Sequence, residues 1–565
     1  MIIESLTSGI PTLFVKADGP MRAGLTFRVG IADETLPLRG ITHLVEHLAL
    51  FQHGAADHHY NGSTDATATH FHMQGTEEQV VRFLNGVCAS LRDLPMWRLT
   101  AEKEILATEA VTRNSSGSLG EVLAVERHGA ATFGLGGYPE WGLPAIAGDD
   151  VRDWVRTWFN RDNVILWIAG AGVPSGLELE LPEGQRRPLP PAVQVLPATP
   201  AYVNVGMNAV AAQALVPRGP AARVYAEVLE RTLFGQMRQD AALSYTVATA
   251  YETWGGGDAS VVAVADTLVK NQRVAVDQFV TTLNAMSVGV GQADVDGAVA
   301  RLSDALAEAE RSAKWLPRLA VDVLCGHPVT DLSVQREALA AVTAAQVTEI
   351  AGRAWRTLLV AVPHGHLMER AGFEETPQFS RFAVLGTRHR SYYPDASLVI
   401  ADDGVTVESR GGPRTVLFDA CSGVLAWPDG GRHLVGRDGI QVRIEPTLYV
   451  AGVKAVAALD ARLPTGLTIA MPTRAADEIP TVRRLTVWRI RARRLGAAAR
   501  RGLQRLRQAW WNRGAYLNYA VPAVLVVLLG LCVAAFVNEP SILFGVWAVM
   551  LSAVLWIRRT TLGRW

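Results

Sequence analysis

The stretch Gly40-Ile-Thr-His43-Leu-Val-Glu46-His47-Leu-Ala-Leu50 decides how the rest of the chain is read. As a helix it turns about 100° per residue, so His47 stands roughly 40° and Glu46 roughly 60° to either side of His43. One face therefore carries two imidazoles and a carboxylate. Imidazoles four residues apart can close on one tetrahedral Zn2+, and a carboxylate beside them can take a proton from an attacking water. The order His-x-x-Glu-His inverts the His-Glu-x-x-His zinc signature. The competing reading is an amphipathic core helix with polar ends.

Outward from this helix, Thr12 to Arg28 alternates as two strands, and Tyr60 to Met73 reads as a turn followed by β-rich alternation. Glu77 to Leu94 and Thr100 to Val111 are helical by period. A catalytic zinc usually takes three protein ligands and keeps one position open, so a third ligand is needed. Glu102 and Glu109 share one face of the second of these helices but lie about 10.5 Å apart along its axis. Only one of them can reach the metal. His53, His58 and His59 fall in a short loop, and His70 and His72 on one strand. None has convincing ligand spacing with a carboxylate, so they read as surface or cleft-lining groups rather than a second metal site.

A chain of 565 residues, 49% of them hydrophobic, is too long for one core and implies several domains. Its 54 basic and 54 acidic residues balance overall but not locally: 14 arginines and the single acid Glu539 lie from Arg483 onward. An acidic body is thus joined to a basic end. Cys88, Cys325, Cys421 and Cys532 are far apart and form no Cys-x-x-Cys pair, so they suggest neither a disulfide framework nor a thiolate metal site, which fits a reducing cytoplasm. The N-terminus lacks a basic leader followed by an apolar run, so no cleaved secretion signal is expected.

The first half resembles the pitrilysin/insulinase-type inverzincin metallopeptidases, the family that includes mitochondrial processing peptidase. The resemblance rests on Gly30-x-x-x-Glu34, the His43-Leu-Val-Glu46-His47 motif, Asn61-Gly-Ser-Thr64 with Thr69, Glu102-x-x-Ile-Leu-Ala-Thr-Glu109, and Trp154 to Gly170, in that order. It implies His43 and His47 as ligands, Glu46 as general base, Glu109 as third ligand and Glu102 as a supporting carboxylate. The segment from His47 to Asn61 is about a dozen residues shorter than the family pattern, so the helix expected after the motif is missing.

The α+β architecture implied is a clam of two homologous αβ halves, the catalytic one over 1–182 and a metal-free one over 196–366, joined by a Pro-rich linker at 183–195. In the second half Val203 to Val216 reads as a strand, Ala221 to Leu233 as a helix, Tyr245 to Trp254 and Ala259 to Ala265 as strands, and Gln272 to Met286, Ala293 to Ser312 and Thr343 to Trp355 as helices before a last strand at Thr357 to Val362. The Arg238-x₆-Tyr245 spacing matches the family stretch whose side chains reach the substrate. Physically, a guanidinium and a phenol can donate to a developing oxyanion. Peptide substrates follow, as does either activity alone or membership of a homo- or hetero-oligomer. The fold also serves as a non-catalytic scaffold, though retention of all four motif residues argues against that.

Residues 380–475 read as a small β domain from their short alternating runs and Gly-rich turns, a roll or barrel of pleckstrin-homology or GRAM type. The 481–514 segment holds 11 arginines and no acid, with Trp488, Leu495, Leu503, Leu506 and Trp510 at helical intervals. Without a base-reading motif it is expected to lie on anionic lipid rather than to bind nucleic acid. Tyr519 to Val537 and Ser541 to Ile557 are uncharged apolar runs long enough to form a transmembrane hairpin over 519–557. Arginines flank the pair and the Asn538-Glu-Pro-Ser connection has none, which places both ends and the soluble body on the cytoplasmic face of the inner membrane.

Overall fold

The computed structural model describes residues 2–51, 59–114 and 118–482, and those up to Val482 belong to one compact unit. The first half runs β1 (Ile3–Thr7), β2 (Ile10–Lys16), β3 (Met21–Phe27), α1 (Ile41–Leu50), β4 (His59–Thr64), β5 (Thr69–Gly75), α2 (Glu77–Arg92), α3 (Leu99–Asn114), α4 (Leu119–His128), α5 (Gly148–Trp158) and β6 (Val164–Gly170). Its strands lie in the order β1-β2-β6-β3-β5-β4. β2 and β6 pair in parallel, and the other neighbours antiparallel.

The second half runs β7 (Ala201–Val205), β8 (Ala209–Pro217), α6 (Pro220–Leu233), β9 (Val247–Thr253), β10 (Asp258–Asp266), α7 (Gln272–Val288), α8 (Gln292–Ser312), α9 (Leu316–Leu324), α10 (Leu332–Ala340), α11 (Ala344–Arg356), β11 (Leu359–Pro363) and β12 (Glu374–Glu375). Its sheet order is β12-β7-β11-β8-β10-β9, with β7 parallel to β11 as β2 is to β6, and the short edge strand β12 also parallel to β7. The order β7-β11-β8-β10-β9 repeats β2-β6-β3-β5-β4, so the two halves share one five-stranded unit, and only the edge strands β1 and β12 differ. The single strand expected over Val203 to Val216 is two strands, broken at Gly206-Met-Asn208, where the chain reverses. Alternation across a tight turn looks like continuous alternation.

The central strand β6 is buried on both faces, which explains why it is an unbroken apolar run. Val164, Leu166 and Ile168 face the core beneath α1, α2 and α5, while Ile165, Trp167 and Ala169 face the opposite side. That opposite side is covered by Leu316, Leu319, Ala320 and Leu324 of α9, a helix of the second half. Gly24 makes room for this layer: a Cβ there would stand 2.5 Å from Cζ2 of Trp167. The exchange is reciprocal. Leu119 and Leu123 of α4, from the first half, pack on Ala201, Val203, Leu359 and Ala361 of the second sheet. Each of these buried leucines stabilises the pairing by about 2 kcal/mol relative to exposure.

Beyond the two halves, β13 (Thr387–Arg390), β14 (Ser397–Ile400), β15 (Gly404–Ser409) and β16 (Gly412–Leu417) form one antiparallel sheet. β17 (Cys421–Ala426), β18 (Arg432–Gly436), β19 (Gln441–Ile444), α12 (Gly452–Asp460) and β20 (Thr468–Ala470) supply a second sheet and a helix over a shared core. β17 and β20 are parallel, so this is not a simple meander. Leu425, Val435 and Ile469 dock it onto Leu36, Ala130, Leu135 and Tyr138 of the first half. Among the described residues no helix is long and apolar enough to cross a membrane. The basic segment from Arg483 and the hairpin expected at 519–557 lie outside the described residues.

Candidate metal centre

The motif helix α1 starts abruptly because Gly40 takes a left-handed backbone, φ 96°, which a glycine adopts without strain. Glu34 anchors that start: its carboxylate accepts the amides of Gly40 and Thr42, each at 3.0 Å, and Nη1 of Arg39 at 3.0 Å. Negative charge at a helix N-terminus is favourable. Burial pushes the Glu34 carboxyl above its usual range, against Arg39 and the two amides, which favour the charged form. The buried apolar side of α1, including Leu44, Val45 and Leu48, turns into the sheet and leaves His43 and His47 on the half-buried side.

α3 crosses that side. Glu109 Oε2 lies 3.8 Å from His43 Nε2, and Oε1 lies 3.7 Å from His47 Nε2. One ligand atom from each of the three falls within 4.8 Å of the others, and this is the one such group of three or more found among the described residues. A tetrahedral zinc with bonds of about 2.0–2.1 Å sets its ligand atoms about 3.3 Å apart, so the two Glu109 contacts would shorten by about half an ångström and the widest separation in the group by up to about 1.5 Å to hold the ion. The carboxylates behind the rings support this. His47 Nδ1 lies 3.3 Å from Glu102 Oε2, and His43 Nδ1 lies 3.6 Å from Glu140 Oε1. A carboxylate there favours a proton on Nδ1 and leaves the Nε2 lone pair for a metal. Glu102 is itself held by Arg98, whose Nη2 donates to its Oε1 at 2.8 Å.

Of the two glutamates that helical spacing left open, Glu109 therefore stands with both imidazoles at Nε2, and Glu102 stands behind one of them. Glu140 has no counterpart in the sequence reading. It sits in the irregular Tyr138-Pro-Glu-Trp141 segment, where no periodicity or spacing marks it. Arg39 is 3.7 Å from Glu140 and so touches both Glu34 and the carboxylate behind His43.

Glu46 lies 6% exposed beside the imidazoles, and Thr64 of β4 donates its hydroxyl to Oε2 at 2.8 Å. Burial raises the Glu46 carboxyl above its usual range; His43, the Thr64 hydroxyl and His47 oppose that shift, and Glu109 adds to it. The Asn61-Gly-Ser-Thr64 stretch now has a physical reason. A Cβ on Gly62 would fall 2.6 Å from Glu46 Oε1 and 2.8 Å from Leu50 Cδ1. Only glycine lets the strand pass so close.

Arg238 belongs to a π-helical turn, Phe234–Asp240, that follows α6. Its guanidinium lies 4.8 Å from the centre of the Tyr245 ring and 5.0 Å from that of Phe234. Tyr245 is 75% exposed, and its amide donates to Asp266 Oδ1 at 2.8 Å. The two residues are thus brought together as an exposed stacked pair in the second half. His70 and His72 do not pair as ligands: His70 Nδ1 meets the Thr26 hydroxyl at 3.0 Å, and burial lowers the His72 pKa. His53 and His58, and the stretch after the motif in which a helix is expected to be missing, lie outside the described residues.

No protein-family model matches the sequence, and no curated protein matches it. Solved structures do. A chain of Complex III2 from Candida albicans is 15% identical over 64% of this chain and 96% of its own, with TM-score 0.56. A protease from Helicobacter pylori gives 14%, 64%, 98% and 0.55, and a peptidase M16 inactive domain from Pseudomonas fluorescens gives 12%, 66%, 100% and 0.54. At such identities the likeness is one of fold: the chain is built on the paired αβ halves seen in M16-type peptidases and in Complex III.

Proposed function

We propose that the chain is a zinc metalloendopeptidase that cleaves peptides or unfolded segments. The observation that carries this is the convergence of His43, His47 and Glu109 beside a buried Glu46. These three residues would hold the zinc, which supplies a Lewis acid and makes water nucleophilic near neutral pH. Glu46 accepts the proton of the attacking water and hands it to the leaving amine. Burial raises its pKa, the direction that makes a carboxylate a better proton acceptor. Arg238 and Tyr245 donate to the carbonyl oxygen as negative charge develops on it. Glu102 and Glu140 hold the two imidazoles in their ligand tautomer.

β4 is the outermost strand of its sheet and touches Glu46 through Gly62 and Thr64. A peptide adding along its free edge passes directly over the base, with backbone hydrogen bonds giving affinity and alternate side chains giving selectivity. The arginine-rich segment and paired apolar runs after Arg483 favour tethering to the cytoplasmic face of a membrane. A second reading has one observation behind it: structures of this fold include one described as an inactive domain and one within Complex III2. On that reading the chain is a scaffold or a partner-dependent subunit.

Purified full chain assayed on a quenched peptide library, with zinc content measured on the same preparation, separates the two. The expected result is zinc-dependent hydrolysis that Glu46→Gln lowers by about 10²–10⁴-fold while zinc is retained. Stoichiometric zinc without turnover would favour the second reading, and a preparation that takes up no zinc would sink both the site and the mechanism.

A further inference from the structure

A cavity of about 700 Å³ lies in the second half among α6, α8, α9, α10 and β9, and none of the metal-site residues lines it. Its volume is that of a small-molecule site. Among the described residues, most of its buried lining atoms without a hydrogen bond are donors. Glu227 Oε1 and Asp322 Oδ1 also lack one, but each faces an arginine, at 3.0 and 3.5 Å. Arg218 Nη1, Trp315 Nε1 and the hydroxyls of Thr249 and Thr253 all line it, all are buried, and none has a hydrogen-bond partner among the described residues. All four can donate. Buried polar groups are seldom left unpaired, so four donors facing one space call for a ligand rich in acceptors.

The charges agree. Asp322 is taken by Arg218 at 2.6 Å and by Arg318 at 3.5 Å. Glu227 and Glu230 face Arg301 at 3.0 and 3.7 Å. Arg223, also in the lining, makes no side-chain hydrogen bond or ion pair among the described residues, and burial depresses its pKa. The lining itself holds three arginines and three acids, and Arg301, from outside it, pairs with Glu227 and Glu230. Arg223, which feels Glu227 only electrostatically, is therefore one guanidinium in excess, which suits a single negative charge. The remaining wall is apolar, with Leu302, Leu306, Leu319 and Leu339.

We propose that this cavity binds a small organic monocarboxylate with an apolar body, its acid group held by Arg223 and Arg218 and its body lying on the α8 and α10 leucines. A guanidinium meets a carboxylate through two parallel hydrogen bonds, which gives orientation as well as affinity. The place in the fold gives occupancy a consequence. Leu319 lines the cavity and also packs against Leu13, Ile165 and Trp167 in the first half, so a ligand here rests on the helix that joins the two halves.

A terminal carboxylate on an apolar body can come from a fatty acid or from the C-terminus of a peptide. Calorimetric titration of the full chain with hexanoate and with N-acetyl-phenylalanine, each against its neutral amide, distinguishes these sources. The expected result is that at least one acid binds about tenfold or more tighter than its amide, and that Arg223→Met removes that difference. Ala309→Phe, which places a ring into the cavity from α8 without touching an arginine, should abolish binding and serves if Arg223→Met does not fold. Failure of both acids to bind at millimolar concentration, equal binding of acid and amide, or unchanged affinity in folded variants would each overturn the proposal.

Discussion

Thr64 shows how one hydroxyl tunes the proposed chemistry. It donates to Glu46 at 2.8 Å, and a hydrogen bond to the charged form of a carboxylate lowers its pKa. Burial acts the other way and prevails. Removing the bond in Thr64→Val therefore raises the Glu46 pKa further. The base works only when ionised, so activity is lost as pH falls through that pKa. The variant's acid limb in kcat/KM should move to higher pH, with activity at high pH retained. A limb that stays in place or moves down would mean that Glu46 is not the titrating base.

At the scale of elements, the site depends on how closely β4 passes over α1. Gly62 stands where any side chain would meet the Glu46 carboxylate at 2.6 Å. Gly62→Ala must push Glu46, Leu50 or the strand aside, and displacement of a catalytic group by about 1 Å costs on the order of 10²-fold in rate. We expect that loss with zinc content unchanged and a melting temperature within a few degrees of the parent, measured by parallel activity, metal and melting assays. Wild-type activity in the variant would show that the close approach is not required. The docked β domain belongs to this scale too: Leu425 and Val435 press on Leu135 and Tyr138, and that stretch leads into Glu140 behind His43.

For the whole molecule, the halves are joined by exchanged helices and by one buried side chain. Arg127 of α4 is 1% exposed and reaches into the second half, donating to Gln213 Oε1 at 2.8 Å and to the carbonyls of Gln213 and Thr357 at 2.9 and 2.8 Å. Burial pushes its pKa down to about 10, which leaves it charged at neutral pH. Arg127→Met strands three acceptors in a dry seam. The expected cost is about 3 kcal/mol, seen as a lower denaturant midpoint. Unchanged stability would mean that α9 and the leucines of α4 hold the seam without it.

The chain by itself determined the features whose cause is local. Two imidazoles and a carboxylate at i, i+3 and i+4 share a helix face whatever surrounds them. The repeated order of elements was equally legible, because each strand and helix carries its own period. Spacing alone narrowed the third ligand to Glu102 or Glu109 and went no further. Tertiary structure decided the remainder. Glu140 meets His43 from an irregular segment nearly a hundred residues away, Gly62 matters because two elements happen to cross, and α4 and α9 each complete the other half's sheet. No periodicity records such contacts, since they arise from which surfaces remain to be buried once the local elements have formed.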